Sequence, residues 1–72
     1  MGVTGEEAKQ ALLAGSPVVF DHPALGPIVY AEIHAIRYMK GNVGVSVSLE
    51  LYDRNKNSIT VAPIKEVELY QK

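Results

Sequence analysis

The chain is organised around residues 43–53, which read Val-Gly-Val-Ser-Val-Ser-Leu-Glu-Leu-Tyr-Asp. Apolar residues alternate here with small or polar ones, and a period of two is typical of a β-strand with one buried face. The buried face is expected to carry Val43, Val45, Val47, Leu49 and Leu51. At about 3.3 Å per residue, such a strand would span about 30–36 Å. We therefore expect it to bend near Gly44 and the serines, as the central strand of a small barrel must.

Length and composition indicate one domain, residues 1–72, with a modest core. Hydrophobic residues make up 47% of the chain, but there is no tryptophan and only one phenylalanine, so Val, Ile, Leu and Ala must form most of the core. The chain has no cysteine, which excludes disulfides and thiolate metal sites. Domains of this size gain stability from association, so we expect a homo-oligomer, most simply a two-fold dimer.

The charged residues give no sign of a polyanion partner. Seven basic and eight acidic residues are scattered singly and sum to a net charge of −1. The first residues lack the basic and apolar regions of a signal peptide, and no apolar run approaches the roughly 18 residues of a membrane span. We therefore expect a cytoplasmic protein without a membrane partner, and nucleic acid ranks below the other partners considered.

Residues 4–14 are predicted to form a short helix that caps the sheet. Thr4 suits the N-cap position, and Glu7 lies three residues later, where it completes a capping box. Gly15 suits the left-handed residue after the helix, and Pro17 prevents its continuation. We expect this helix to stabilise the fold and not to bind a ligand.

Five strands are expected after the helix, at residues 17–21, 28–39, 43–53, 58–62 and 66–70. Two prolines and a glycine make residues 21–27 a stiff loop. Tight turns are predicted at residues 40–42 and 54–57, and a single helical turn at 62–65. In the second strand the apolar pattern changes phase between Ile33 and Ile36, which indicates a β-bulge near His34 and Ala35. The residues predicted to form the core of the sheet are Val45, Val47, Leu49, Leu51, Ile59, Val61, Val67 and Leu69.

One helix followed by five short strands, with a proline-marked break before the last strand, resembles the SH3-like small barrels over residues 17–70. The resemblance implies an α+β fold. The chain lacks the tryptophan and the aromatic-rich acidic loop of peptide-binding SH3 domains, so proline-peptide recognition is not implied. Residues 11–19, Ala-Leu-Leu-Ala-Gly-Ser-Pro-Val-Val, are also similar in style to short accessory proteins of phages and mobile elements. That resemblance implies a counter-defence protein, which either occupies a host partner protein or sequesters a signalling nucleotide.

The sequence contains no recognisable catalytic or metal-binding set. His22 and His34, with Asp21 and Glu32 nearby, lack the spacing of a zinc or facial-triad site, so we expect no metal and no cofactor. No nucleophile elbow is present. Glu32 and Glu50 are interpreted as cross-strand partners of Arg37, Lys40 or solvent and not as paired catalytic carboxylates. We therefore expect a protein that is not an enzyme.

The leading hypothesis is a non-enzymatic binding module whose partner is another protein or a second copy of the chain. Small residues on the outer face of the organising strand would let another surface approach closely. The alternative is an oligomer that binds a nucleotide-like small ligand, with a tyrosine against the base and an arginine on the phosphate. The second alternative is a single-stranded nucleic-acid binder that uses the same tyrosines. The residues expected at the binding site are Tyr30, His34, Arg37, Tyr38, Ser46, Ser48, Tyr52 and Arg54.

Overall fold

The computed structural model describes residues 2–70, so Met1, Gln71 and Lys72 of the predicted domain lie outside the described residues. Within these residues, a helix, α1, is followed by six strands and, before the last of them, a 3-10 turn at Ile64–Glu66. The elements are α1 (Gly5–Ala14), β1 (Val18–His22), β2 (Gly26–Tyr30), β3 (Glu32–Gly41), β4 (Gly44–Tyr52), β5 (Ile59–Pro63) and β6 (Val67–Leu69).

The strands form two antiparallel sheets of three strands each. The first sheet has the order β2-β1-β6 and the second sheet the order β3-β4-β5. The predicted α+β class is therefore correct, but the six strands form two sheets where a single barrel of five strands was expected. Within residues 2–70, no helix has the length and apolar composition needed to cross a membrane.

The additional strand arises because the predicted strand 28–39 divides at Ala31. Tyr30 ends β2 in the first sheet, and Glu32 begins β3 in the second sheet. At the division, the Ala31 backbone N–H donates to the Tyr52 carbonyl at 3.0 Å. This backbone group therefore stays hydrogen-bonded where the chain passes from the first sheet to the second. Alanine is not a typical turn residue, but the strand can be interrupted at Ala31 because the second sheet supplies a hydrogen-bond acceptor for its backbone N–H.

The segment 21–27 is a tight hairpin and not the irregular loop that its prolines suggested. Asp21 pairs with Pro27, and His22 pairs with Gly26. Gly26 has a φ of 81°, a left-handed value that glycine adopts without strain. The His22 Nδ1 atom accepts hydrogen bonds from two backbone N–H groups of the turn, at 3.0 and 3.1 Å, and so holds the hairpin closed.

The predicted β-bulge is present in β3. The register against β4 shifts between Ile33, which pairs with Leu51, and Ala35, which pairs with Glu50. His34 is the extra residue, and its insertion places Ile33 and Ile36 on the same, core-facing side of the sheet. The bulge therefore reconciles the two phases of the apolar pattern.

The predicted ends of the helix are confirmed. The Thr4 hydroxyl accepts from the Glu7 N–H at 3.1 Å, and the Glu7 carboxylate accepts from the Thr4 N–H at 2.9 Å. Gly15 follows the helix with a φ of 68°. The helix packs against β3 and buries only small residues, Ala8 and Ala11, so it lies close to the sheet.

The core differs from the prediction mainly in β5. Of the eight residues predicted to be buried, Leu49, Leu51 and Val67 are buried and Val47 and Leu69 are half-buried, whereas Val45, Ile59 and Val61 are exposed. The prediction for these last three was wrong.

The register with β4 shows which residues of β5 face the core. Ala62 pairs with Leu49 and Thr60 pairs with Leu51, so the core-facing residues of β5 are Thr60 and Ala62. Val43, also expected on the buried face, lies in the β3–β4 turn and is fully exposed.

Gly2 sits where a side chain cannot fit. A Cβ atom at this position would collide with the backbone of Ile64 and Lys65, because Gly2 crosses closely over the 3-10 turn. The next residue, Val3, is buried and donates its N–H to the Val67 carbonyl at 2.7 Å. We expect Gly2→Ala to displace this segment and to lower the free energy of unfolding by about 1–3 kcal/mol.

The matched control is Gly5→Ala, because a Cβ at Gly5 meets no atom within 4 Å apart from its chain neighbours and the backbone of its own helix. This change is expected to be neutral or to stabilise the protein by up to about 1 kcal/mol. Urea denaturation of both variants makes the comparison. Equal stability of Gly2→Ala and the unmodified chain would show that Gly2 does not cross the turn in this way.

Candidate functional site: the outer face of the second sheet

Residues from three strands share the side of the second sheet that faces away from the core. In β3 and β4, Arg37 pairs with Ser48 and Met39 with Ser46. In β4 and β5, Glu50 pairs with Val61. We define this outer face by the residues Arg37, Met39, Ser46, Ser48, Glu50, Tyr52, Ile59 and Val61, together with His34 at the bulge.

Glu50 lies at the centre of a polar row on this face. Its carboxylate is 3.5 Å from Arg37 Nε and 3.9 Å from His34 Nε2. The His34 ring also meets the Tyr52 ring edge-on, with 4.7 Å between the ring centroids. The bulge makes this row possible, because the extra residue directs the imidazole toward the outer face while Ile33 stays in the core. The expected pairing of Glu50 with Arg37 is therefore present.

The turn between β4 and β5 closes one end of the outer face. Asp53 accepts hydrogen bonds from the Asn57 N–H at 2.8 Å and from the Ser58 hydroxyl at 3.0 Å, and these bonds hold the pKa of Asp53 below its usual value. Lys56 places its ammonium group 2.7 Å from the Glu32 carboxylate, and this hydrogen bond raises the pKa of Lys56. The partner of Glu32 is thus Lys56, whereas the sequence suggested Arg37 or Lys40.

Exposed apolar side chains border the polar row. Ile59 is 44% exposed and Val61 is 48% exposed, two residues apart on β5, and Met39 on the opposite border is 49% exposed. In the part of the chain that the structure describes, β5 pairs only with β4, so it forms the edge of the second sheet. Sequence reasoning missed Ile59 and Val61 because it assigned the more apolar half of this alternating strand to the core. The presence of Ala62, small enough to pack beside Leu49, was the available signal for the opposite phase.

The structure brings together five of the eight residues predicted for the binding site. His34, Arg37, Ser46, Ser48 and Tyr52 all belong to the outer face. These five come from two neighbouring strands and share one surface.

The other three predicted residues lie elsewhere. Tyr30 is buried near Phe20, with 6.4 Å between their ring centroids, so placing it on the binding surface was wrong. Tyr38 pairs with Val47 and therefore projects from the opposite side of the sheet, so its assignment to this surface was also wrong. Arg54 is exposed in the turn that follows β4.

A groove of about 460 Å³ lies beside β4, next to the outer face. It opens where β5 ends and the chain turns away into the 3-10 turn. Its walls are formed by Ser46, Val47, Ser48, Pro63, Ile64 and Lys65.

The two histidines have separate surroundings. His22 closes the β1–β2 hairpin of the first sheet, and His34 contacts Glu50 and Tyr52 on the second. Among residues 2–70, no group of three or more His, Asp or Glu side chains comes together in a way that could hold a metal ion.

Comparison with known proteins gave no match among protein-family models, curated proteins or solved structures. Function is therefore inferred from the chemistry of the described surface.

Proposed function

We propose that this protein is a non-enzymatic binding module that recognises another protein through the outer face of its second sheet. The observation that carries the proposal is the exposure of Ile59 and Val61 beside the Glu50–Arg37 ion pair. Protein interfaces combine these two features, because buried apolar contacts supply affinity and charged groups fix orientation.

Part of the outer face is already arranged without a partner. Its side chains project from paired strands, and Arg37 Nε lies 3.5 Å from the Glu50 carboxylate. The Ser46 hydroxyl donates to the Met39 carbonyl at 3.4 Å, so it is folded back toward the sheet. A surface whose side chains are already positioned loses less conformational entropy on binding. Small serines beside the ion pair let a partner come near the sheet backbone.

A nucleotide-like ligand fits the structure less well. That alternative needs an exposed tyrosine beside an arginine, but Tyr30 is buried and Tyr38 lies on the opposite side of the sheet from Arg37. Tyr52 remains on the outer face, where the His34 ring covers its edge. We therefore place a protein partner first.

The order of elements supports an SH3-like arrangement of the two sheets. A 3-10 turn separates β5 from β6, and β6 returns to pair with β1. The resemblance to short accessory proteins of phages and mobile elements implies that the partner is a host protein whose own site this face would occupy.

The test is affinity capture from the cells that naturally contain the protein, with Val61→Lys compared to the unmodified chain. A lysine at this position would replace an apolar side chain of the proposed contact with a charged one and would compete with Arg37 for Glu50, which pairs with residue 61. We therefore expect recovery of the partner to fall about tenfold or more. The control is Leu25→Lys, which makes the same kind of change at a residue 73% exposed in the turn between β1 and β2. The control should recover the partner like the unmodified chain.

Two results would contradict the proposal. One is equal recovery by Val61→Lys and by the unmodified protein. The other is an unmodified protein that enriches no partner over bare resin. Loss of the partner only in Leu25→Lys would also contradict it, because it would show that the binding surface lies on the first sheet.

A further inference from the structure

Among residues 2–70, no strand pairs with one edge of β4 along nearly half its length. β3 pairs with β4 from Gly44 to Tyr52, but β5 covers the other side only from Ser48 to Tyr52. In an antiparallel sheet, alternate residues direct both backbone groups to the same side, so about half of the groups in residues 44–47 face the open edge. Residues 43–48 contain neither a charged residue nor a proline, the usual protection of an exposed edge.

The apolar face of β4 continues past the core toward this edge. Leu49 and Leu51 are buried, but Val45 on the same face is 65% exposed, and Tyr38, which pairs with Val47, is 69% exposed. The chain exposes 5018 Å², whereas a compact monomer of 7.8 kDa exposes about 4,400 Å². The excess of about 600 Å² approaches the roughly 800 Å² that each partner buries in a standard interface.

The open segment is complementary to itself. Residues 43–47 read Val-Gly-Val-Ser-Val, with valine at both ends and at the centre and small residues between. If two copies pair antiparallel about Val45, Val43 lies opposite the second copy's Val47, and Gly44 lies opposite the second copy's Ser46. All valines then share one face, where cross-strand contacts between β-branched residues stabilise a sheet.

The groove fixes the register of this pairing. Pro63 already occupies the position opposite Ser48, so Val47 is the last residue of β4 that a new strand can reach. Pairing about Val45 uses the free positions of β4, residues 44–47, together with Val43 of the turn, and stops at that limit. It also brings the second copy's β3–β4 turn, with the fully exposed Val43 near its tip, to the groove wall formed by Val47, Pro63 and Ile64.

We propose that a second copy of this chain occupies the open edge, with residues 43–47 of the two copies paired antiparallel in a two-fold dimer. The second sheets of both subunits then join through neighbouring β4 strands. This dimer uses the edge and the core-side face of β4, so it leaves the outer face free and does not depend on the proposed function.

The test is the molar mass in solution, measured by sedimentation equilibrium across a range of concentrations. The unmodified chain is expected to reach twice its 7.8 kDa mass. Val45→Lys and Val45→Glu each place like charges opposite one another at the two-fold axis, so each alone should weaken the dimer by about tenfold or more. An equimolar mixture of the two variants should restore it, because opposite charges then meet.

The control is Ile59→Lys, which changes an exposed apolar residue of the outer face and should leave the dimer intact. Val43→Lys should also weaken the dimer. Val43 is fully exposed, so a lysine there does not disturb folding, and the result does not depend on whether the Val45 variants fold. A monomeric unmodified chain, dimers that persist in both Val45→Lys and Val43→Lys, or a dimer lost only in Ile59→Lys would each overturn the proposal. Assembly beyond a dimer would also overturn it, because two-fold pairing closes at two copies.

Discussion

Replacing Leu49 with alanine is expected to lower the free energy of unfolding by about 2–5 kcal/mol, the range for truncating a buried leucine. Leu49 is fully buried at the centre of the second sheet, between Ile36 on β3 and Ala62 on β5. A loss of this size is a large part of the roughly 5–15 kcal/mol that stabilises a typical domain. A domain of 72 residues is expected to have a free energy of unfolding near the low end of this range. The variant should therefore be partly unfolded at moderate urea concentrations.

The control for Leu49→Ala is Leu25→Ala. Leu25 is 73% exposed in the turn between β1 and β2, outside the proposed dimer contact, so its truncation should cost less than about 1 kcal/mol. Urea denaturation followed by circular dichroism measures both. Similar costs at the two positions would show that Leu49 is not buried between Ile36 and Ala62.

Placing a carboxylate at position 62 is expected to lower the free energy of unfolding at least as much as Leu49→Ala does. Ala62 is fully buried opposite Leu49, so Ala62→Asp would bury a charge without a partner and cost about 3 kcal/mol or more. Its neighbour Val61 is 48% exposed on the outer face, where Val61→Asp would meet only the like charge of Glu50 at a cost of about 0.2–1 kcal/mol.

Thermal unfolding of these two variants shows which side of β5 faces the core. We expect Ala62→Asp to be largely unfolded and Val61→Asp to melt close to the unmodified chain. The reverse order would mean that Ile59 and Val61 face the core, as the apolar pattern alone suggested, and would remove the apolar border from the proposed binding surface.

Features with local causes were predictable from the sequence. The capping box of Thr4 and Glu7, the left-handed Gly15 and the alternation of β4 each depend on residues close together in the chain. The bulge at His34 was predictable for the same reason, since the phase change that reveals it spans only Ile33 to Ile36.

Features fixed by pairing partners were not predictable in this way. A strand with period two has two faces, and in β5 the choice between them depends on the register with β4, which places Ala62 beside Leu49. The break at Ala31 depends on an acceptor supplied by Tyr52, far along the chain. That break also explains why Tyr30 was misplaced, because it returns Tyr30 to the first sheet and the neighbourhood of Phe20.

The most direct measurement of the central claim is photo-crosslinking inside the cells that contain the protein. A photoreactive amino acid placed at Val61 reports on the outer face of the second sheet, and the same residue at Leu25 reports on the turn between β1 and β2. If the outer face binds a partner protein, irradiation will yield a discrete adduct from position 61 and none from position 25. An adduct from position 25 alone, or none from position 61, would contradict this account.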